Sequence, residues 1–272
     1  MLVKRQGERG EPDDRVVLVH GIGSGHEVWD DMTPELARHH ELLSVDLPGF
    51  GESPPLPESR RTLSGLADAI EAEMDREGWK RAHLVGHSMG GWLVLELAAR
   101  GRALRTVAIS PVGGATPEES KRSRRALNAD RRAAQFAEHL PDFVLRGVFS
   151  TGIVRRLAVR NQMTRGQVVS PERLIRAMRT MGRAESYDEM ITQISGDRDL
   201  IERNTERFGG ISSPLLLIWG SEDRILPAAG GARLKAAIPG AELHEMPGVG
   251  HAPNFDHHEQ LTRLVADFIA AR

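Results

Sequence analysis

The sequence predicts an α/β fold, a mostly parallel central sheet flanked by helices and interrupted by an inserted helical cap. Short apolar runs alternate with segments of helical spacing through residues 1–110, and the same rhythm returns in residues 210–272. Such alternation is typical of strand–helix–strand units, which build parallel sheets. Residues 111–209 instead show several helical patterns and no convincing strand. We therefore predict one core, formed by residues 1–110 and 210–272, and a helical cap, or lid, over residues 111–209.

The elements before the insertion follow from apolar spacing and turn chemistry. The first ordered element is expected at residues 16–20, because they form a short apolar and β-branched run that ends in a glycine turn at 21–23. Residues 62–77 have helical spacing, with one apolar face formed by Leu63, Leu66, Ala67, Ile70 and Met74. The other predicted strands are 42–45, 82–86 and 104–109, and the other predicted helices are 27–39 and 89–100.

Helices are predicted within the insertion near residues 118–139, 171–183 and 187–194. An insertion of roughly 100 residues is far longer than an ordinary loop. The parallel-sheet rhythm then resumes in the last part of the chain. Strands are predicted there at 215–219 and 243–246, and helices at 228–237 and 259–271.

Composition limits the classes of function and partner. The formal net charge of −2 gives no strong attraction to nucleic acid or to an anionic membrane. The chain has no cysteine, which excludes disulfides, a thiol nucleophile and thiolate metal sites. No signal peptide and no apolar run long enough to span a bilayer is evident. We expect a cytoplasmic protein with a small-molecule substrate, no nucleic-acid or membrane partner, no metal and no cofactor; the sequence does not predict an oligomeric state.

The strongest motif is G-x-S-x-G at residues 86–90, between a predicted strand and a predicted helix. In this context the motif is typical of a nucleophile elbow, a strained turn that exposes a serine hydroxyl. The neighbours two positions before and after the serine must be small, and both are glycine. We therefore predict Ser88 as a catalytic nucleophile, although a glycine-rich turn with a purely structural role has the same pattern.

A serine nucleophile needs a base, and the base needs an acid that orients it. His251 follows the last predicted strand within a Gly-Val-Gly-His-Ala-Pro loop and is the predicted base. Asp223 follows the predicted strand 215–219 and is the predicted acid, with its neighbour Glu222 as the alternative. The chain order Ser88, Asp223, His251 is the order found in α/β-hydrolases. By contrast, we interpret His20 and His87, beside glycine turns, as packing residues.

Acyl transfer also needs hydrogen-bond donors for the oxyanion that forms on the substrate. The backbone N–H of Met89, directly after the nucleophile, is one predicted donor. The backbone N–H of Ile22, in the loop after the first core strand, is the other. Gly21 and Gly23 in the same loop are predicted to contact substrate.

Five segments resemble motifs of the α/β-hydrolase superfamily. They are HGIG at 20–23, DLPGFGES at 46–53, GHSMGG at 86–91, WGSED at 219–223 and GH at 250–251. The resemblance covers residues 16–270 apart from the insertion. It implies an eight-stranded type of core with a helical cap, and it makes Asp46 a structural turn residue. Serine at the elbow separates the chain from haloalkane dehalogenases and epoxide hydrolases, which use aspartate there.

The insertion offers two observations that bear on the substrate. A basic stretch precedes residue 133. It either attracts an anionic substrate or an acidic carrier protein. Alternatively, it forms a solvated helix face partly paired with Glu118, Glu119 and Asp130. Its members are Lys121, Arg122, Arg124, Arg125, Arg131 and Arg132. Four methionines either shape an adaptable acyl pocket or fill the core under the cap. They are Met163, Met178, Met181 and Met190.

The sequence therefore predicts a serine hydrolase that cleaves a small or medium ester, thioester or lactone with an apolar acyl part. Its mechanism is two-step acyl transfer through Ser88, His251 and Asp223. Three alternatives remain open: a hydrolase of C–C bonds in diketone-type substrates, a cofactor-free haloperoxidase, and a ligand-binding module without catalysis. Three intact catalytic residues favour an enzyme, since a binding module has no use for all of them.

Overall fold

A computed structural model describes residues 1–8, 10–196 and 206–271, and its centre is a seven-stranded sheet. The strands are β1 (Leu2–Gln6), β2 (Arg15–Val19), β3 (Glu41–Asp46), β4 (Ala82–His87), β5 (Ala103–Ile109), β6 (Leu215–Gly220) and β7 (Ala241–Met246). Their order across the sheet is β1-β3-β2-β4-β5-β6-β7. All neighbouring pairs are parallel except β1 and β3, which are antiparallel. The predicted α/β fold with a mostly parallel sheet is confirmed.

Helices cover both faces of this sheet. They are α1 (Thr33–Leu36), α2 (Leu63–Arg76), α3 (Met89–Ala99), α4 (Pro117–Glu138), α5 (Asp142–Val148), α6 (Gly152–Ala158), α7 (Pro171–Arg183), α8 (Tyr187–Gly196), α9 (Ala229–Ala237), α10 (Pro253–Asp256) and α11 (His258–Ala270). Thr62 caps α2, because its side chain accepts a hydrogen bond from the Gly65 N–H. Within the described residues, no helix is both long and apolar enough to cross a membrane.

The buried strands explain the two layers of the core. Side chains alternate between the faces of a strand, so Val17 and Val19 of β2 belong to one apolar cluster, while Val16 and Leu18 belong to the other. All four are fully buried. Strands buried on both faces are typical of a parallel sheet covered by helices on each side.

The strand order reverses direction at β2. From β2 the chain moves outward to β3 on one side, and later to β4 and β5 on the other. In open α/β sheets, ligands bind beyond the carboxyl ends of the strands at such a reversal. The turns that follow β2 and β4 at this edge contain the predicted oxyanion loop and the predicted nucleophile.

Three expectations from the sequence need correction. An ordered strand, β1, precedes residue 16; it is a partly exposed edge strand, so its polar residues gave no apolar run. The predicted helix 27–39 is a 3-10 turn (His26–Trp29) followed by the short α1, and Pro34, which lacks an N–H, cannot continue a helix from the residues before it. The described residues form seven strands rather than the eight implied by the resemblance.

The insertion between β5 and β6 carries α4 to α8, and its described residues contain no strand. The predicted helices correspond to α4, α7 and α8, whereas α5 and α6 were not predicted. Each of these two has only seven residues, too few to show a helical period. Apolar residues of the inserted helices join the two clusters of the core, as Tyr187 and Met190 do on one side and Leu174 does on the other.

Candidate active site

Ser88 occupies the tight turn between β4 and α3. Its backbone has φ 56° and ψ −114°, a region that non-glycine residues rarely adopt. Such a conformation costs about 1–3 kcal/mol and persists only where surrounding structure enforces it. Here the Ser88 N–H donates to the Ile109 carbonyl at the end of the neighbouring strand β5. Ser88 is only 5% exposed, so it has little contact with bulk water.

Glycines on either side of Ser88 allow this turn to form. A Cβ on Gly90 would overlap the carbonyl oxygens of Val19 and His20 at the end of β2. A Cβ on Gly86 would overlap the Gly90 carbonyl oxygen within the turn. The start of α3 therefore packs directly against the sheet, as the predicted elbow requires.

His251 lies between Ser88 and Asp223. Its Nε2 is 3.1 Å from the Ser88 Oγ, and its Nδ1 is 2.7 Å from the Asp223 Oδ2. A carboxylate only accepts hydrogen bonds, so Nδ1 carries the proton and Nε2 is free to accept from the hydroxyl. All three side chains are buried. The structure thus brings together the three residues predicted as catalytic, in the geometry of a nucleophile, a base and an orienting acid.

Asp223 is held in place by the backbone that follows it. Its Oδ1 accepts hydrogen bonds from the N–H groups of Ile225 and Leu226, both at 2.8 Å. The other carboxylate oxygen is therefore left to bind His251. The alternative acid, Glu222, is exposed, whereas Asp223 is the one of the two that contacts the His251 imidazole.

The loop after β2 approaches Ser88 closely. A Cβ on Gly21 would lie 3.1 Å from the Ser88 Cβ, so the loop packs against the elbow. His20 anchors this loop: its Nδ1 is 2.7 Å from the Gly21 carbonyl oxygen, and its Nε2 accepts the Leu47 N–H at 3.0 Å. Burial lowers the pKa of His20 to about 4. The ring is therefore neutral at pH 7 and donates from Nδ1.

The two residues predicted as oxyanion donors lie on either side of this contact. Met89 begins α3 directly after the nucleophile, and its side chain is fully buried in an apolar cluster. Ile22 belongs to the loop after β2 and lines the space in front of Ser88. Gly21 and Gly23, predicted to contact substrate, line the same space. Their roles as donors and substrate contacts stay predictions.

His87 has a partner that the sequence did not indicate. Its Nε2 donates to the backbone carbonyl oxygen of His251 at 2.8 Å, and the two rings lie with centroids 4.9 Å apart. Burial, together with the charge of a protonated His251, lowers the pKa of His87 to about 3. His87 therefore stays neutral and ties the elbow to the loop of the predicted base. Both His20 and His87 hold loops of the site, a role beyond the packing expected of them.

A cavity of about 320 Å³ opens in front of Ser88 and His251. Aliphatic and methionine side chains dominate its wall, together with two phenylalanines, Phe149 and Phe255. The residues that line it from the insertion are Leu127, Asp130, Ala133, Ala134, Phe149, Ala158, Val159, Gln162, Met163, Leu174, Ala177, Met178 and Met181. A second cavity of about 20 Å³, which shares Leu127 with the first, also reaches Ser88. It has room for little more than one water molecule.

The four methionines of the insertion divide between the two roles considered for them. Met163, Met178 and Met181 line the larger cavity. Met190 is fully buried and packs in the apolar core. Three of the four are thus placed to contact a substrate, and one fills the core.

Asp130 is the one carboxylate in the described wall of the larger cavity. Burial raises its pKa above the usual range, although the side chains of Gln162 and Asn161 donate to it. The Gln162 Nε2 is 2.9 Å from the Asp130 Oδ2, and its backbone oxygen accepts the Ala252 N–H at 2.9 Å. Asp130 therefore faces the cavity and also fixes the segment that packs on the loop of His251.

The basic stretch of α4 is divided between the interior and the surface. Arg131 points inward, stacks on the Tyr187 ring at 4.8 Å and donates to the carbonyls that end α7. Arg124 is exposed but borders the smaller cavity. Glu119, considered as a partner for this stretch, instead pairs with Arg233 of α9. The remaining basic residues, Lys121, Arg122, Arg125 and Arg132, are exposed.

One group of possible metal ligands occurs among the described residues: His26, Glu27 and Asp46. Both oxygens of Asp46 already accept hydrogen bonds, from the backbone and ring of His26 and from the Glu52 N–H. The bond to Asp46 raises the pKa of His26, which favours a charged imidazole beside the carboxylate. These contacts fasten the turn after β3, in agreement with a structural role for Asp46.

A family model described as "Alpha/beta hydrolase family" matches residues 16–264 of this chain. One similar protein is a 2-hydroxy-6-oxononadienedioate/2-hydroxy-6-oxononatrienedioate hydrolase of Pseudomonas sp. It is 26% identical over 279 aligned residues, which cover 97% of this chain and 90% of that protein.

Solved structures share the fold over nearly the whole chain. An enol-lactonase from Burkholderia xenovorans LB400 has a TM-score of 0.75 at 24% identity, covering 99% of this chain and 96% of that one. A thermophilic esterase from Thermogutta terrifontis has a TM-score of 0.72 at 23% identity, covering 98% and 92%. At this identity the two structures establish a common architecture.

Proposed function

Because this chain belongs to the alpha/beta hydrolase family, we propose that it is a serine hydrolase cleaving a small or medium ester, thioester or lactone. One observation carries the proposal. The Ser88 hydroxyl, the His251 imidazole and the Asp223 carboxylate form one hydrogen-bonded series at the end of an apolar cavity. In this series the base contacts both the nucleophile and the acid that orients it.

The first half of the reaction acylates the serine. The Ser88 Oγ attacks the substrate carbonyl carbon while its proton moves to the His251 Nε2. Asp223 stabilises the imidazolium that results. The N–H groups of Met89 and Ile22 bind the oxyanion, and a single donor of this kind contributes about 3–4 kcal/mol in measured systems. His251 then protonates the leaving group, the bond to the carbonyl carbon breaks, and the acyl group stays on Ser88.

The second half returns the enzyme to its starting state. A water molecule attacks the acyl carbon and gives a proton to the His251 Nε2. The bond to the Ser88 Oγ breaks as that oxygen takes the proton back from the imidazolium. The acid product leaves, and the hydroxyl and the neutral imidazole are regenerated.

We propose residues 111–209 as a cap that selects the substrate. The described part of this insertion supplies more than half of the residues that line the larger cavity. The core residues of the same cavity are chiefly the predicted catalytic groups and their two loops. A cap of this kind covers the reacting atoms and limits the access of water.

The wall of the cavity favours an uncharged, apolar acyl group. Among the described residues of the wall there is no lysine or arginine to bind a carboxylate, and Asp130, when ionised, repels a carboxylate. The apolar side chains that line the cavity provide the driving force for substrate binding. Substrates with an apolar acyl part and no negative charge therefore fit best.

A second candidate is hydrolysis of C–C bonds in diketone-type substrates. The similarity to an oxononadienedioate hydrolase favours it. That substrate is a dioate and carries two carboxylates by its name, whereas the described cavity wall contains a carboxylate instead of a cation. We therefore place ester or lactone cleavage first.

The experiment that tests the proposal is hydrolysis of p-nitrophenyl esters by the wild type and by Ser88→Ala. A serine-directed fluorophosphonate probe is applied to both proteins in parallel. We expect ester turnover and probe labelling in the wild type, and neither in the variant. Ser110→Ala serves as the matched control, because Ser110 also has a positive φ and is buried beside the elbow.

The outcomes separate the candidates. Labelling of Ser88 without ester turnover, together with loss of diketone absorbance, would identify a C–C bond hydrolase. A wild type that neither labels nor turns over any of these substrates would overturn the proposed triad and leave a binding module.

A further inference from the structure

The larger cavity opens to solvent between two inserted helices. Ala133 of α4 and Ala158 of α6 both line the cavity and are both exposed, so they mark its mouth. The two sides of the mouth are joined by the hydrogen bond from the Gln162 side chain to Asp130. The side chains around Ala133 and Ala158 therefore determine which partner can bind at the mouth.

Large apolar side chains project into solvent beside this mouth. Phe136 lies one turn after Ala133 and is 67% exposed, while Ile153 and Leu157 lie one turn apart on α6 and are 74% and 56% exposed. Every exposed large apolar side chain of the described chain except Leu2 falls within residues 136–168: Phe136, Phe143, Val148, Ile153, Val154, Leu157 and Val168. Exposed apolar side chains that are concentrated in one part of a surface are candidates for an interaction site, whereas single scattered ones are not.

Arginines without carboxylate partners lie beside these apolar groups. Arg132 precedes Ala133 on α4, Arg156 lies on α6, and Arg160 lies in the turn that follows α6. All three are exposed, and within the described part of the chain no carboxylate forms an ion pair with any of them. The segment 141–170 has five arginines and one acidic residue, although the whole chain has a net charge of −2.

We propose that this mouth surface, formed by Phe136, Ile153 and Leu157 with Arg132, Arg156 and Arg160, docks on an anionic lipid bilayer. Apolar side chains enter the boundary between headgroups and acyl chains, and the guanidinium groups bind lipid phosphates. A helix with an apolar stripe flanked by arginines is typical of such a contact. The mouth of the cavity then faces the lipid.

The chemistry of the surface favours a bilayer over other partners. A second copy of the chain would bring two arginine-rich surfaces together, and like charges repel. A folded protein partner must provide a matching pocket for each projecting side chain. A fluid bilayer accommodates single projecting side chains without such pockets.

The sequence, by contrast, predicts no membrane partner. That expectation rested on the net charge of the whole chain and on the absence of a long apolar run. Neither the net charge nor the search for an apolar run can detect a local surface formed by α4 and α6, because α5 separates these helices in the sequence. The proposed contact is peripheral, on the surface of the bilayer, and it does not depend on the reaction proposed above.

Co-sedimentation of the full chain with vesicles tests the proposal. We expect binding to mixed phosphatidylcholine–phosphatidylglycerol vesicles, weaker binding at high salt, and little binding to phosphatidylcholine alone. Arg156→Gln with Arg160→Gln removes two charges and should weaken binding by about 25-fold, since each arginine near an anionic surface contributes about fivefold. Ile153→Ser with Leu157→Ser tests the apolar contact and should abolish sedimentation.

A matched pair of charge removals controls for net charge. Lys80→Gln with Lys235→Gln removes the same charge from exposed residues at the opposite edge of the sheet, and should leave binding unchanged. Thermal unfolding of each variant establishes that it is folded. Equal binding to both kinds of vesicle, no binding, or the same loss in the lysine control would overturn the proposal. So would a wild type that dimerises in size-exclusion chromatography and loses the dimer in Ile153→Ser with Leu157→Ser.

Discussion

The His87 imidazole donates a hydrogen bond from Nε2 to the backbone carbonyl oxygen of His251, at 2.8 Å. The residue that precedes the proposed nucleophile thus holds the loop that carries the proposed base. Replacement by phenylalanine keeps an aromatic ring but removes the donor. We expect His87→Phe to lower kcat for ester hydrolysis by about 10- to 100-fold, because small displacements of a catalytic group cost rates of this order.

His83→Phe is the control for that substitution. His83 lies on the same strand, and its Nε2 is 2.8 Å from the Asp13 carbonyl oxygen, far from the cavity. Steady-state kinetics should show kcat unchanged in this variant. Similar losses of kcat in both variants would mean that His87 acts through general stability rather than through His251.

The neighbouring acids Asp223 and Glu222 give a sharp test of the proposed triad. Asp223→Asn preserves shape but cannot stabilise the imidazolium, and a drop in kcat of about ten-thousand-fold is expected by analogy with serine proteases. Glu222→Gln alters an exposed side chain and should leave kcat close to that of the wild type. The reverse result would transfer the role of the acid to Glu222.

Asp130 is expected to control selectivity for charge. Burial raises the pKa of Asp130, so its repulsion of an anionic acyl group across this cavity of low polarity grows as the pH rises and the carboxyl ionises. Asp130→Asn should raise kcat/KM for a dicarboxylic half-ester about tenfold relative to a neutral ester of equal length. Asp142→Asn, on exposed α5 outside the described cavity wall, is the control and should leave this ratio unchanged. Equal changes in kcat/KM for both substrates would mean that Asp130 only holds residues 161–163 in place.

The methionines of the insertion should differ in what their replacement affects. Met178→Phe stiffens and reshapes the cavity wall, so we expect a shift in the preferred acyl length of p-nitrophenyl esters. Met190→Ala leaves a hole in the core and should lower the free energy of unfolding by about 2–5 kcal/mol. Urea unfolding and an ester series distinguish the two effects. A change of acyl preference in Met190→Ala alone would contradict the assignment.

Buried His20 should make stability fall in mild acid. Its pKa is about 4 in the folded protein and about 6.5 in the unfolded chain, so the unfolded chain binds more protons between these values. Stability is therefore full above about pH 6.5 and is lost as the pH falls toward 4, by up to about 3 kcal/mol. His20→Asn removes the titrating group and keeps a donor near the position of Nδ1. Urea unfolding at several pH values should show a smaller slope in this variant, and an unchanged slope would refute the assignment.

The fold and the proposed triad were predictable because their signals are local. Buried strands are continuous apolar runs, and the turns after β4, β6 and β7 carry Ser88, Asp223 and His251. Parallel strands end at one edge of a sheet, so residues that follow different strands meet there. The sequence could therefore indicate that these three residues lie close together without any knowledge of distances.

The features that escaped prediction depend on packing between distant segments. β1 is an edge strand whose polar residues show no apolar run, and α6 is too short for a period. The bond between His87 and His251 joins residues 164 positions apart. The direction of Asp130 depends on how α4 packs over the core. None of these relationships leaves a pattern within a single window of sequence.

The cavity wall is divided between the core and the insertion, so the reaction and the choice of substrate depend on different parts of the chain. The proposed nucleophile, base, acid and backbone donors all belong to the core, and both donors are main-chain groups that a side-chain replacement leaves in place. The insertion supplies most of the surface that a substrate would touch. Divergence in residues 111–209 can therefore change which molecule is accepted while the bond-breaking chemistry stays intact. Relatives with the same core would share a reaction long after they have ceased to share a substrate.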